Sequence, residues 1–391
     1  MKDWKPYKLN ELGKVGRGKS KHRPRNEPSL FGGKYPFIQT GDVKNAEFYI
    51  SNYSQTYSEK GLAQSKLWKK GTLCITIAAN IAETAILNID ACFPDSIIGF
   101  VADDKKSDVK FIKYHFDLLK IHLQSISQGT TQDNLSQEKL LKFDFTVPID
   151  VKHQQRIASI LSAYDDLIEV NNQRIKLLEQ TARELYKEWF VRMRFPGYKQ
   201  AKFKKGVPIS EGEVIYFKDF IKLNRGFDLP EDKVVEGIYP VVASTSIKTY
   251  HNQFKVKAPI IVTGRSGSLG KVQYVNQDGW PHNTALYVKD FKGNEPLYVF
   301  YTMLGMDFES FNSGAGVPTL NQNHLHKLKL WVAGKLLQEK FKKIAEPMNL
   351  QIETLQQQNT QLRQIRDRLL PRLISGKLQA KETTYKKAVI A

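Results

Sequence analysis

Cysteine is nearly absent from this chain: 391 residues hold only Cys74 and Cys92. Two thiols cannot build a disulfide framework for a fold of this size. Both stand in apolar, strand-like surroundings, which suits reduced core residues in the cytosol; a disulfide between them stays open. Long apolar runs are missing too. Thr76, Asn80 and Glu83 interrupt the best candidate, Leu73 to Leu87, so no membrane span is expected. Met1-Lys2-Asp3-Trp4-Lys5-Pro6 leads into no apolar core, so no secretory signal is read. The expectation is a soluble, cytoplasmic protein without a membrane partner.

Catalytic constellations are equally scarce. Gly264-Arg265-Ser266-Gly267-Ser268-Leu269-Gly270-Lys271 has the look of a phosphate loop. Its spacing is wrong, and Val272 stands where a metal-binding Ser or Thr is needed. No Asn-Pro-Pro-aromatic or Asp-Pro-Pro-aromatic tetrapeptide occurs, which argues against an amino-methyltransferase site. Glu231-Asp232-Lys233, with Asp219 upstream, has a nuclease-like form. Pro230 and Gly237 make that stretch a loop, and so short a pattern arises by chance. His324 and His326 lack further ligands nearby, so no metal site is expected. The eight histidines suggest no triad. The chain reads as a binder and scaffold rather than an enzyme.

What is abundant is positive charge. Lys and Arg outnumber Asp and Glu 59 to 40, a net +19. Such an excess suits a polyanion, most often nucleic acid.

The chain also repeats itself. Ser127-Gln128-Gly129-Thr130-Thr131-Gln132-Asp133-Asn134-Leu135 aligns with Asn312 to Leu320 at an offset of 185 residues. A short apolar strand follows each loop, Phe143 to Pro148 and Leu328 to Val332. Strands are also expected at Tyr35–Gln39, Thr72–Ile77, Tyr239–Ala243 and Ala258–Thr263. Amphipathic helices are expected at Phe111–Gln124 and Leu297–Gly305. Two copies at so long a period indicate duplication, not a solenoid.

Each half ends in a heptad ladder. From Leu161, the positions Tyr164, Ile168, Asn171, Ile175, Leu178, Ala182, Leu185 and Trp189 step alternately by three and four. From Ala345, the positions Met348, Ile352, Leu355, Asn359, Leu362, Arg366 and Leu369 do the same. This is a coiled-coil seam. If two domains are to sit at opposite ends, the helices must pair antiparallel. Asn171 and Asn359 either lie buried and fix register or face solvent at a frayed seam. Pro347 should break or kink the second helix, and Gly197 and Gly376 should stop the two helical regions. The fold class expected is α+β. Two mixed α/β domains would be separated by two long antiparallel coiled-coil helices, as a pseudo-two-fold internal repeat. The boundaries read as 1–150 and 199–335 for the domains and 151–198 and 336–378 for the helices. Residues 379–391 form a basic tail.

Several segments carry a family resemblance. They are Pro36-Phe37-Ile38-Gln39-Thr40-Gly41-Asp42-Val43, Tyr239 to Ser244 and Val262 to Val272. The helices add Tyr164 to Asn172, Glu188-Trp189-Phe190-Val191 and Leu369-Leu370-Pro371-Arg372-Leu373-Ile374-Ser375-Gly376-Lys377-Leu378. In these the chain resembles the specificity subunits of type I restriction-modification systems, over nearly its whole length. One departure is Asn80-Ile81-Ala82-Glu83, which replaces the Gly-rich loop in the first half. The resemblance implies that each domain reads one half of a split double-stranded DNA target. It implies that the helices set the gap between half-sites and dock modification subunits, which restriction subunits then join. Methyl donor, ATP and Mg would bind those partners, leaving this subunit without cofactor or catalysis of its own.

Polar loops can reach base edges. The candidate readers in the first half are Gln39, Thr40, Lys44, Gln128, Thr130, Thr131 and Gln132. In the second half they are Arg225, Ser244, Thr245, Ser246, Arg265, Ser266, Ser268 and Lys271. Taken singly, Gly41, Gly129, Gly264, Gly267 and Gly314 read as ordinary turn glycines. Arg265 reads either as a DNA contact or as a surface salt bridge. Two other functions are open to the same sequence. One is a coiled-coil adaptor without a DNA role; the other is a stand-alone nuclease using Glu231 and Lys233.

Overall fold

The computed structural model describes residues 3–78, 82–128, 137–314 and 318–380. The chain forms two compact units. Unit 1 comprises residues 1–172 and 356–391, and unit 2 comprises 173–355. Each unit therefore takes part of both long helices.

In unit 1 the central sheet has five strands, in the order Gly13–Arg17, Ile97–Ala102, Leu73–Thr76, Thr84–Leu87 and Tyr49–Ile50. Leu73–Thr76 is buried at every position, as an apolar run between covered faces must be. A second sheet orders Gln55–Tyr57, Phe31–Phe37, Ala91–Cys92 and Leu67–Trp68. Trp4–Tyr7 and Phe145–Pro148 close the unit as an antiparallel pair. Helix α1, Val109–Gln128, packs its Phe111, Ile112 and Phe116 into the core. It starts where the Asp108 carboxylate accepts the Phe111 N–H at 2.9 Å, a side-chain cap. Cys74 and Cys92 are buried, free thiols.

Helix α2, Val151–Tyr186, is 36 residues long and is capped by Asp150, whose carboxylate accepts the Lys152 N–H at 3.0 Å. Its last turn widens at Lys187–Val191, and Met193 takes the left-handed conformation that ends the helical region. Gly197, expected to be the stop, instead opens a short turn at Tyr198–Gln200.

Unit 2 repeats the plan. Its main sheet orders Lys222–Arg225, Ala285–Asp290, Ile260–Gly264 and Val272–Val275. A smaller sheet orders Ile247–His251, Tyr239–Val242 and Trp280–Pro281, and Gly212–Tyr216 pairs with Lys329–Ala333. Helix α3, Pro296–Leu304, begins with proline, whose missing N–H costs nothing there. Of the break or kink expected at Pro347, the break does not occur: helix α4, Lys335–Ile374, is continuous through it. Phe341 and Ala345 before the proline, and Ile352 and Leu355 after it, are all buried. Packing on both sides outweighs the lost hydrogen bond, a cost of about 3 kcal/mol. Gly376 does follow the helix end, with a left-handed φ of 69°.

The duplication extends to single bonds. Gln154, buried near the start of α2, donates to the carbonyls of Pro148 and Lys106 and accepts the Asp108 N–H. Gln338 does the same near the start of α4. It donates to the Ala333 carbonyl and the Asn294 side chain, and accepts the Glu295 N–H. Each glutamine ties a strand end, a long helix and the start of the domain helix together.

Every seam position from Leu161 to Trp189 and from Ala345 to Leu369 is buried or half-buried. In unit 1 the two helices run antiparallel, because Asp165 meets Arg366 while Asn171 meets Asn359. Asn171 donates to Asn359 at 2.9 Å, and Asn359 donates to Asn172 at 2.9 Å. Asp165 also accepts the Tyr114 hydroxyl of α1. Burial raises the Asp165 carboxyl while the Arg366 charge opposes it. The matching position in unit 2 is neutral: Asn349 donates to the Tyr301 hydroxyl at 3.2 Å.

Candidate nucleic-acid interface

Both units carry the same Arg-Gly step where the first strand of the main sheet ends. In unit 1 it is Arg17-Gly18, and in unit 2 Arg225-Gly226. The Gly18 N–H donates to Ile97 O at 2.9 Å and the Gly226 N–H to Ala285 O at 3.0 Å. The next residues match as well, with the Lys19 N–H reaching Phe93 O at 3.1 Å and the Phe227 N–H reaching Pro281 O at 2.8 Å. A Cβ on Gly18 would collide with the carbonyl oxygens of Pro94 and Phe93. One on Gly226 would collide with that of His282. Only glycine admits so close an approach.

Around this frame unit 2 assembles a polar cluster. The Gly-rich turn after Ile260–Gly264 places Gly267 and Gly270 in left-handed backbone, at φ of 87° and 82°. Gly264, Gly267 and Gly270 thus serve the turn itself. Arg265 is held by backbone on both sides. Its N–H donates to Thr284 O at 3.0 Å, and its carbonyl accepts the Leu320 N–H at 2.9 Å. Ser266 bridges to Thr319, and the Gly267 N–H donates to Pro318 O at 2.9 Å. In the two loops singled out in the second half, residues 265–267 and 318–320 therefore pair with each other.

The half-buried Arg265 guanidinium donates to Asn283 O at 3.4 Å. Asp228 gathers Arg225 at 3.3 Å and the Asn283 amide. His282 lies 3.2 Å from the Thr284 hydroxyl. Burial and then the Lys248 charge hold its imidazole below the ordinary value, against Asp228. Ser244, Thr245 and Ser246 form the turn between Tyr239–Val242 and Ile247–His251, closed by Ala243 N–H to Ser246 O at 2.9 Å. Gln273 steadies that turn by donating to Ala243 O at 2.7 Å. Ser268 and Lys271 are exposed at the Gly-rich turn. Asp228, Lys248, His282, Asn283 and Thr284 escaped the sequence reading. The signal that finds them is the repeated Arg-Gly pair, which marks the opposing strand ends in both halves.

Unit 1 dresses the frame differently. Arg17 donates to Asp95 O, and Arg25 pairs with the Asp95 carboxylate at 2.8 Å. The Ile77 N–H donates to Ser96 O at 3.0 Å, so buried Ile77 stands where unit 2 has Arg265. Gln39 sits at the start of the short helix Thr40–Asn45. Its N–H donates to Asp42 at 2.8 Å and its amide to Gln55 at 2.6 Å. Thr40 opens that helix and Lys44 lies exposed in its last turn. Gln128 ends α1. Thr130, Thr131 and Gln132, and Asn80 and Ile81 of the departure noted above, lie outside the described residues.

Glu231–Lys233 is a single turn whose Glu231 pairs with Lys248 at 3.1 Å. Among the described residues no cluster of three or more His, Cys, Asp or Glu could hold a metal, and no helix is long and apolar enough to cross a membrane.

The family model for the type I restriction modification DNA specificity domain matches residues 1–180 and 210–364. The MjaIX specificity subunit of Methanocaldococcus jannaschii is 25% identical over 415 aligned positions, covering 97% of this chain and 95% of the relative. The HindI specificity subunit of Haemophilus influenzae is 27% identical over 203 positions, 49% of this chain and 41% of its own. The crystal structure of the type I restriction-modification S subunit from M. genitalium superimposes with a TM-score of 0.61 over 95% of this chain and 96% of that one. At 17% identity, this likeness speaks for the fold.

Proposed function

Because the chain belongs to the type I restriction-modification DNA specificity family, we propose that it recognises a bipartite duplex target whose two halves differ in sequence. One observation carries this reading. Both units hold the same Arg-Gly frame, yet the side chains upon it differ. Unit 2 presents Arg265, Asn283 and Asp228, where unit 1 has Ile77 and the Arg17, Arg25 and Asp95 set. Like frames with unlike readers suit two half-sites of unlike sequence. The net charge of +19 supplies phosphate attraction to both.

The long helices then serve as the platform for modification subunits, and restriction subunits join that core. Leu167 and Val170 on α2 in unit 1 leave apolar side chains uncovered, as do Leu336, Ile344 and Leu350 on α4 in unit 2. Exposed apolar side chains on a helix suit a protein partner. Methyl donor, ATP and Mg belong to those partners, and this chain contributes recognition without catalysis. The complex works in the cytoplasm, where its DNA is.

The test is to map methylated bases in host DNA with and without this gene. A two-part motif with a fixed gap should vanish with the gene. Unchanged methylation would overturn the reading, and Mg-dependent cleavage of DNA by the purified chain alone would overturn the non-catalytic role.

A further inference from the structure

We propose that residues 19–23 together with Lys66 form a grip for duplex DNA phosphates that unit 1 has and unit 2 lacks. The proposal rests on the DNA-recognition reading above and adds a site to it. After the shared Arg-Gly step the two units diverge in charge. Residues 17–27 hold five Lys or Arg and one acid, whereas 225–237 hold two Lys or Arg and four acids.

The basic segment is firmly built. The Lys21 and His22 N–H groups donate to the Gln64 side-chain oxygen at 2.6 and 3.1 Å, and the Ser65 hydroxyl donates to Lys19 O at 2.8 Å. Buried Ser20 accepts the Arg23 guanidinium on its carbonyl at 2.7 Å. The acids at its foot are already engaged. Asp95 holds Arg25 at 2.8 Å, and Glu27 holds Lys60 at 2.9 Å and His22 at 2.7 Å. Among the described residues no ion pair engages Lys19, Lys21 or Lys66.

Lys66 lies 3.5 Å from the centroid of the Trp68 ring. Its ammonium is held below its ordinary value, first by burial and then by the neighbouring Lys19. Glu27 is taken up by His22 and Lys60, so the like charges of Lys19, Lys21 and Lys66, set on a fixed backbone, are relieved by an external anion. Phosphates at regular spacing along a duplex are that anion, and the neighbouring Arg17-Gly18 step belongs to the recognition frame.

The experiment measures full-length chain binding to a 30-base-pair random duplex across a salt series. The site variant carries Lys19→Gln, Lys21→Gln and Lys66→Gln. A control removes the same charge elsewhere in unit 1, through Lys34→Gln, Lys69→Gln and Lys106→Gln. Circular-dichroism melts verify folding of all three proteins. Each lost phosphate contact should weaken binding roughly tenfold near 0.1 M salt and flatten the log–log salt slope by about 0.9. The site variant should therefore lose about two to three from its slope, and the control much less. Wild type binding while the site variant keeps its slope and affinity would overturn the grip alone. Equal losses in both variants would assign the effect to net charge and also overturn it. No salt-dependent binding by wild type would overturn the DNA-recognition reading itself.

Discussion

His115 is a buried imidazole on α1, packed beside the rings of Phe111 and Phe145. Burial pushes its pKa from 6.5 down to about 4. The folded-state value lies below the unfolded one. The neutral ring's contribution is therefore complete above pH 6.5 and is lost as pH falls through 4. A drop of that size corresponds to about 3 kcal/mol. His115→Leu should flatten the acid side of the stability profile by about that amount. Denaturant titrations between pH 7 and 4 would measure it, and superimposable profiles would refute it. Arg265 makes the second residue-scale case. Its backbone is pinned to Thr284 and Leu320, so truncating the side chain leaves the loop in place. Arg265→Ala should weaken specific binding by about 1–3 kcal/mol if the guanidinium reads a base. If it touches phosphate only, affinity should fall evenly across sequences with a shallower salt slope. Unchanged affinity at several salt concentrations excludes both.

At the scale of elements, the informative contact is the asparagine cluster between α2 and α4. Asn359 is shared by Asn171 and Asn172, so its loss strands a buried amide. Asn359→Leu should cost about 1–3 kcal/mol, and Asn171→Leu less, since Asn359 then keeps Asn172. The double replacement should cost less than the two singles together, because the buried Asn171 amide that Asn359→Leu alone would strand is then gone, leaving only half-buried Asn172 without its partner. Chemical denaturation of the four proteins closes this cycle, and additive losses would show that the amides do not stabilise each other. The heptad period alone is enough to place these residues on facing stripes. The period does not show where a helix ends. Met193 rather than Gly197 takes the left-handed stop, and α4 runs through Pro347. Both departures come from tertiary packing overriding local preference. Trp189, Phe190 and Phe341 are buried where α2 ends and α4 begins, and that burial dictates the helix limits more than any single residue does.

For the whole molecule, exchanging residues 1–150 for those of another family member should change one half of the DNA target and leave the other intact. Methylation of a randomised DNA library would read this out, and a change in both halves would refute the modular reading. The duplication was visible in the sequence as an offset, and strand and helix positions followed from apolar periodicity. The site was harder to see. Arg225 and Arg265 stand beside distinctive glycines, but their companions Asp228, His282, Asn283 and Thr284 occupy ordinary polar stretches. They converge only because antiparallel pairing carries the end of one strand past the start of another.

Gly18 and Gly226 bear on how such a site can be dissected. Each lies within a segment that a mutational scan for DNA contacts would cover, and neither has a side chain to offer a base. Any replacement drives a Cβ into backbone carbonyl oxygens of the segment opposite. A screen scored on binding would rank both glycines among its strongest hits, and both would be false positives, reporting a sprung backbone rather than a lost contact. Scoring protein abundance beside binding separates the two, since these variants should drop in both while true contact variants drop in one.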